Sequence, residues 1–152
     1  MSIVRWPDVP DVQGSLRIPR PSIYLLGSSQ TTEWYIKAAR QLDQYFGSVF
    51  FCDDQQPKNL VDYTKWVFNW LLPADLAFIW IDRPPINAQL LWDQLEVGIC
   101  FGQRKPMVLA IHPSLDSLSL ALRAVLNELG IVSPIYSTLE MAVEATKMRR
   151  GT

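Results

Sequence analysis

The sequence predicts an α/β protein with a central parallel sheet of about five strands, covered by helices on both faces. Three observations predict it. Short apolar runs alternate with longer segments whose apolar residues recur at helical spacing, the order expected of successive βαβ units. One run, Leu76–Ile81, is apolar at every position, as in a central strand buried on both faces. Gly102 and Gly130 follow two of the helical segments, where helices commonly stop.

The elements follow in order. Residues 1–21 carry Pro7, Pro10, Pro19 and Pro21 with little periodicity and read as an extended arm. Trp6 could anchor that arm on its own domain or on a neighbouring subunit. The domain proper then spans 22–152. Residues 23–26 form a short strand, 27–30 a turn, and 32–45 a helix with Trp34, Ala38 and Leu42 four residues apart. Residues 49–52 form the second strand. A polar loop over 53–59 leads to a helix over 60–72, marked by Leu60, Tyr63, Val67, Trp70 and Leu71 and ended by Pro73. Leu76–Ile81 is the third strand and 83–87 a loop. A helix runs from about 88 to 101, and Met107–Ile111 is the fourth strand. Residues 115–129 again show helical spacing. Ile135–Tyr136 reads as a short fifth strand, and Ser137-Thr138-Leu139-Glu140 as a capping box opening a last helix to about Arg149.

The bulk properties narrow the function. A chain of 152 residues, 49% hydrophobic and 19% charged, has the composition of one globular domain. The net charge of -1 lacks the basic excess of a nucleic-acid-binding surface, so no nucleic-acid partner is expected. No apolar run reaches the ~18 residues of a membrane span, and the N-terminus lacks the apolar segment of a signal peptide. No membrane association and a cytoplasmic location are therefore expected. Cys52 and Cys100 read as reduced, buried fillers. One histidine and two scattered cysteines argue against a zinc site. No metal or cofactor is expected.

Ligands of a parallel sheet bind beyond the carboxyl ends of its strands. That singles out the loops after Leu26, Cys52 and Ile81. The last of these leads into the helix bearing Glu96, which shares a face with Trp92, Ile99 and Cys100. A carboxylate among apolar neighbours is costly unless it is paired, hydrogen-bonded or used. Asp93, three residues earlier, lies on a neighbouring part of that face. Two close carboxylates can divide the roles of acid and nucleophile, although spacing alone favours a solvated pair. Gly27, Ser28 and Ser29 could present N–H groups and hydroxyls to a phosphate or sugar, the plainer reading being a turn and helix cap. Asp75 reads as a residue capping the start of a strand, and His112 as incidental. Trp34 and Trp92 could line a base-stacking pocket.

Three segments together resemble the nucleoside 2-deoxyribosyltransferase superfamily, which includes the deoxynucleoside monophosphate N-glycosidases. They are Ile-Tyr-Leu-Leu-Gly-Ser-Ser at 23–29, Ala-Asp-Leu-Ala-Phe-Ile-Trp at 74–80, and Leu-Glu-Val-Gly-Ile-Cys-Phe-Gly-Gln-Arg-Lys-Pro at 95–106. The resemblance covers roughly residues 22–112. It implies a flavodoxin-like fold and a homo-oligomer in which a neighbouring subunit helps close the site. It implies Glu96 as a nucleophile at the N-glycosidic bond of a nucleoside or nucleotide, with Tyr24 beside it. Gly27 and Ser28 match the loop by the sugar or 5′-phosphate. Where the transferases carry a base-binding aspartate, this chain has Ile86, Asn87 and Gln89, so Asn87 or Gln89 would read the base. Asp93 has no secure counterpart in the family.

Three readings stay open. An N-glycosidase or deoxyribosyltransferase predicts Glu96 accessible in a cleft next to Tyr24 and Ser28. A non-catalytic nucleotide-binding or protein-interaction module predicts Glu96 buried against a partner such as Arg104, or a cleft filled by the N-terminal arm. A glycosidase acting on a dinucleotide such as NAD needs a larger cleft.

Overall fold

A computed structural model describes residues 2–9, 18–54, 58–83 and 88–149, with the backbone alone at 2 and 88–93. The strands are β1 (Ser2–Arg5), β2 (Ser22–Ser28), β3 (Ser48–Phe51), β4 (Leu76–Ile81), β5 (Met107–Ile111) and β6 (Ile135–Tyr136). The helices are α1 (Glu33–Leu42), α2 (Leu60–Trp70), α3 (Ala88–Gly102), α4 (Asp116–Glu128) and α5 (Leu139–Arg149). The sheet order is β1-β3-β2-β4-β5-β6 and every pairing is parallel. Strands β2 to β6 thus follow the flavodoxin-like order, and the domain is a three-layer α/β fold. Among the described residues, no helix is long and apolar enough to cross a membrane.

The period-two alternation of strands assigns the two cores. Tyr24, Leu26, Phe50, Ile79, Leu109 and Ile111 face α2, α3 and α4. Ile23, Leu25, Val49, Phe78, Trp80 and Val108 face α1 and α5. Residues of β4 are buried on both faces, which is why that run is apolar throughout.

The structure adds a sixth strand to the five expected. The segment read as an extended arm begins with β1, which pairs with β3 from Ser2↔Ser48 to Arg5↔Phe51. Two smaller differences concern helix ends. The cap of α5 is Thr138, whose Oγ1 accepts from the Met141 amide at 3.1 Å, one residue later than the box predicted. Helix α3 runs through Gly102, and the left-handed residue beyond it is Arg104 (φ 51) rather than a glycine. Gly130 (φ 68) does take that role after α4.

Charged groups brace the amino end of the sheet. Asp75 accepts from the Ser22 amide at 2.8 Å and pairs with Arg20. The buried Lys105 amine donates to the carbonyls of Leu72 (3.0 Å) and Ala74 (2.6 Å), joining the approaches to β4 and β5. Burial pushes its pKa below the ordinary lysine value. His112 accepts from the Ser114 amide at 3.1 Å and caps the 3-10 turn Pro113–Leu115.

Candidate active site

The strand order reverses between β2 and β4, and the loops at their carboxyl ends are stitched together there. Gly27 opens the stitch. Its φ is 152°, and a Cβ would sit 1.8 Å from the Trp80 carbonyl oxygen of the neighbouring strand, so glycine is required. The Ser28 hydroxyl donates to the Arg83 carbonyl at 3.3 Å. Asp82 accepts from the Ser29 hydroxyl and the Gln30 amide, each at 2.9 Å. The serine hydroxyls therefore tie the ends of β2 and β4 together. The turn and helix cap expected over 27–30 are not formed as read, because Gly27 and Ser28 end β2 and the α1 cap, Thr32, makes no side-chain bond.

Glu96 projects from α3 toward this end of the sheet. It is 3% exposed, and the Tyr63 hydroxyl of α2 donates to its Oε1. Tyr24, on β2, is buried near Tyr63, and among the described residues its hydroxyl makes no well-formed hydrogen bond. Burial, and then the charge of Glu96, hold the Tyr24 hydroxyl well above the ordinary tyrosine pKa. Burial raises Tyr63 as well, with Tyr24 and Glu96 contributing. Both phenols are therefore proton donors at neutral pH and not bases. Cys52, just past β3 and half-buried, is pushed up to about 12 by burial, against a hydrogen bond to the Asp54 carbonyl. Cys100 is likewise raised to about 12 by burial. Neither thiol is ionised enough to act as a nucleophile.

A cleft at this end is lined by Gly27, Ser29, Tyr35, Cys52, Asp53, Tyr63, Arg83 and Glu96 among others. Its volume is about 30 Å³, room for a water or two. Asp53 is paired by Arg5 of β1, with Nε and Nη2 each 2.8 Å from one carboxylate oxygen. Among the described residues, the Nε of Arg83 is buried without a hydrogen-bond partner. A second, apolar cavity of about 280 Å³ lies between α3 and α4, lined by Val97, Phe101, Leu118 and Leu122, and it shares Gly27 and Arg83 with the first.

The structure thus brings Glu96, Gly27 and Ser29 to one cleft, with Tyr24 in the field of Glu96 beneath it. Ser28 lines the apolar cavity instead. Trp34 packs in the core, stacked on Tyr35 at 4.0 Å, and lines neither cavity. Asn87 and the side chains of Gln89, Trp92 and Asp93 lie outside the described residues. Cys52, half-buried, packs against the core and also lines the cleft. Sequence reasoning missed Tyr63, Arg83 and Asp53 as site residues. Only Tyr63 carried a signal, a hydroxyl on the buried stripe of α2 that needs a partner.

No protein-family model matches the chain, and no curated protein sequence matches it.

Proposed function

We propose that the chain cleaves or transfers at the N-glycosidic bond of a (deoxy)nucleoside or nucleotide, with Glu96 as nucleophile. One observation carries the reading: a buried carboxylate at the switch point of the sheet, held by a tyrosine hydroxyl and opening on a cleft. In this mechanism a Glu96 oxygen bonds to C1′ as the C1′–N bond breaks and its electron pair leaves with the base. The transition state is oxocarbenium-like, and the carboxylate stabilises it. Water or a second base then displaces Glu96 from C1′, and in either case the proton lost from the incoming O–H or ring N–H passes to the departing base or to solvent. Tyr63 orients the carboxylate, and Tyr24 supplies a second hydroxyl in its field. The proposed assembly is a homo-oligomer whose neighbouring subunit helps close the site.

A non-catalytic module on the same fold is favoured by a different observation. Glu96 is 3% exposed and its cleft holds only a water or two, although its partner is Tyr63 rather than Arg104. The test is chromatographic detection of base release and base exchange with nucleosides, 5′-monophosphates and NAD. Turnover lost in Glu96→Gln supports the enzyme reading and names the substrate class. A folded chain that turns over none of them supports the module.

A further inference from the structure

The N-terminal strand ends beside the cleft, and it reaches the cleft walls by two routes. The Trp6 amide donates to the Phe51 carbonyl at 2.9 Å, extending the β1–β3 pairing by one bond. The Trp6 indole then packs edge-on against Tyr63, with centroids 5.1 Å apart at 76°, and against Trp66 at 5.8 Å and 79°. The Trp66 indole N–H donates to the Asp8 carbonyl at 2.9 Å, so the chain beyond β1 is tied to the same helix. Separately, Arg5 grips Asp53, which lines the same cleft. Tyr63 in turn donates to Glu96.

We infer that residues 2–8 are a working part of the active site: Trp6 is a positioning residue that sets the Tyr63 ring, and Tyr63 is the positioning residue that sets the Glu96 carboxylate. The inference rests on the proposed role of Glu96 for its effect on turnover, but not for its effect on the carboxyl itself. The geometry supplies the reason. A tyrosine ring on a helix is held laterally only by its neighbours, and Tyr63 meets Trp66 on its own helix at 6.4 Å and Trp6, just past β1, at 5.1 Å. Edge-to-face packing resists rotation of the ring, and rotation would swing the hydroxyl off Oε1. Arg5 acts in parallel. By neutralising Asp53 it keeps a second carboxylate of the same cleft from opposing the charge on Glu96.

A hydroxyl donating to a carboxylate favours its charged form, so losing the donor raises the Glu96 pKa. The titratable groups around Glu96 are Tyr24 from β2, Cys52 past β3, Tyr63 from α2 and Cys100 on α3 itself, with Asp53, Asp54 and Arg83 lining the same cleft. The phenols and thiols stay neutral through the acid range.

The test uses the full chain as wild type, Tyr63→Phe, Trp6→Ala, Trp6→Phe and Trp6→Leu. Turnover is measured against pH, and the Glu96 carboxyl is titrated by carbon-13 NMR. Tyr63→Phe keeps the ring and removes the donor; kcat/KM should fall about 10- to 100-fold, the worth of one hydrogen bond to a charge. The acid limb and the carboxyl titration should both move to higher pH. Trp6→Ala should move the titration in the same direction by a smaller amount, and Trp6→Phe, which keeps an edge-on ring, should restore most of it. A folded Trp6→Ala with the wild-type titration overturns the inference, as does an unmoved titration in Tyr63→Phe. If Trp6→Ala does not fold, Trp6→Phe and Trp6→Leu decide the same point, since equal titrations in those two overturn it. Absence of turnover in the wild type would remove the enzymatic reading alone, because the titration still decides the positioning.

Discussion

The two ends of the sheet handle charge in opposite ways. At the amino end, Lys105 has two carbonyl acceptors, and Asp75 has the Ser22 amide and Arg20. At the carboxyl end, the Tyr24 hydroxyl and the Arg83 Nε are buried without partners among the described residues, and a carboxylate sits among apolar side chains. Satisfied polar groups stabilise a fold, whereas orphaned ones cost about 1–3 kcal/mol each. Orphaned groups are not confined to that end, since among the described residues Asp43 Oδ1, at the close of α1, is also buried without a partner. The charges that brace the scaffold and the candidate working charges nonetheless lie in separate places. Resemblance in sequence runs through both: Asp75 and Lys105 belong to the resembling segments as much as Glu96 does, yet they brace the scaffold.

The sharpest way to break this comparison is to neutralise the carboxyl end. Glu96→Gln should cut turnover by about 10⁴-fold, the scale of losing a nucleophile, while unfolding stability stays within about 1 kcal/mol. Turnover assays and urea melts on the same preparation check it; a large loss of stability would make Glu96 structural. Next in size is Gly27→Ala, where the new methyl group meets the Trp80 carbonyl and the backbone is strained. It should cost about 3 kcal/mol or more in chemical denaturation. Lys105→Met should lose about 2–3 kcal/mol by orphaning two carbonyls, with kcat per folded molecule unchanged. Asp75→Asn removes an ion pair between half-exposed partners and should cost under about 1 kcal/mol in the same melts.

The smallest effect is a pH dependence. The Lys105 amine titrates below the ordinary lysine value in the folded chain, because of burial. Above its folded pKa the unfolded chain therefore binds more protons, so this group adds stability as pH rises toward the ordinary value. The stability gap between wild type and Lys105→Met should widen in favour of wild type over that alkaline window, as urea melts at stepped pH would show. A gap constant with pH would show that the amine keeps its ordinary value.

Most of this fold is legible because its signals are local. The apolar run Leu76–Ile81 and the spacing of Trp34, Ala38 and Leu42 declare a buried strand and a one-sided helix without reference to anything distant. Strand β1 is not legible in that way. It has four residues, of which Val4 is buried and Arg5 exposed, and its partner β3 lies more than forty residues on. Prolines nearby reinforce the impression of a loose arm. Glu96 could be singled out because a carboxylate on an apolar helix face is a local contradiction. Its donor could not, since Tyr63 stands 33 residues away on another helix and fits an apolar stripe by spacing alone. Arg83 lies in a loop, where an arginine carries no pattern, and only the assembled cavity shows its Nε cut off from water.

The sheet also tapers. Its inner strand β2 has seven residues, but the borders are β1 with four and β6 with two. A border strand is a template for another chain's backbone, and a short one offers few open amides for growth. Sheet-to-sheet polymerisation, a hazard for proteins rich in β-branched strands, has little purchase here. Exposed apolar side chains lie instead on helix faces, among them Phe68 on α2 and Leu120 on α4.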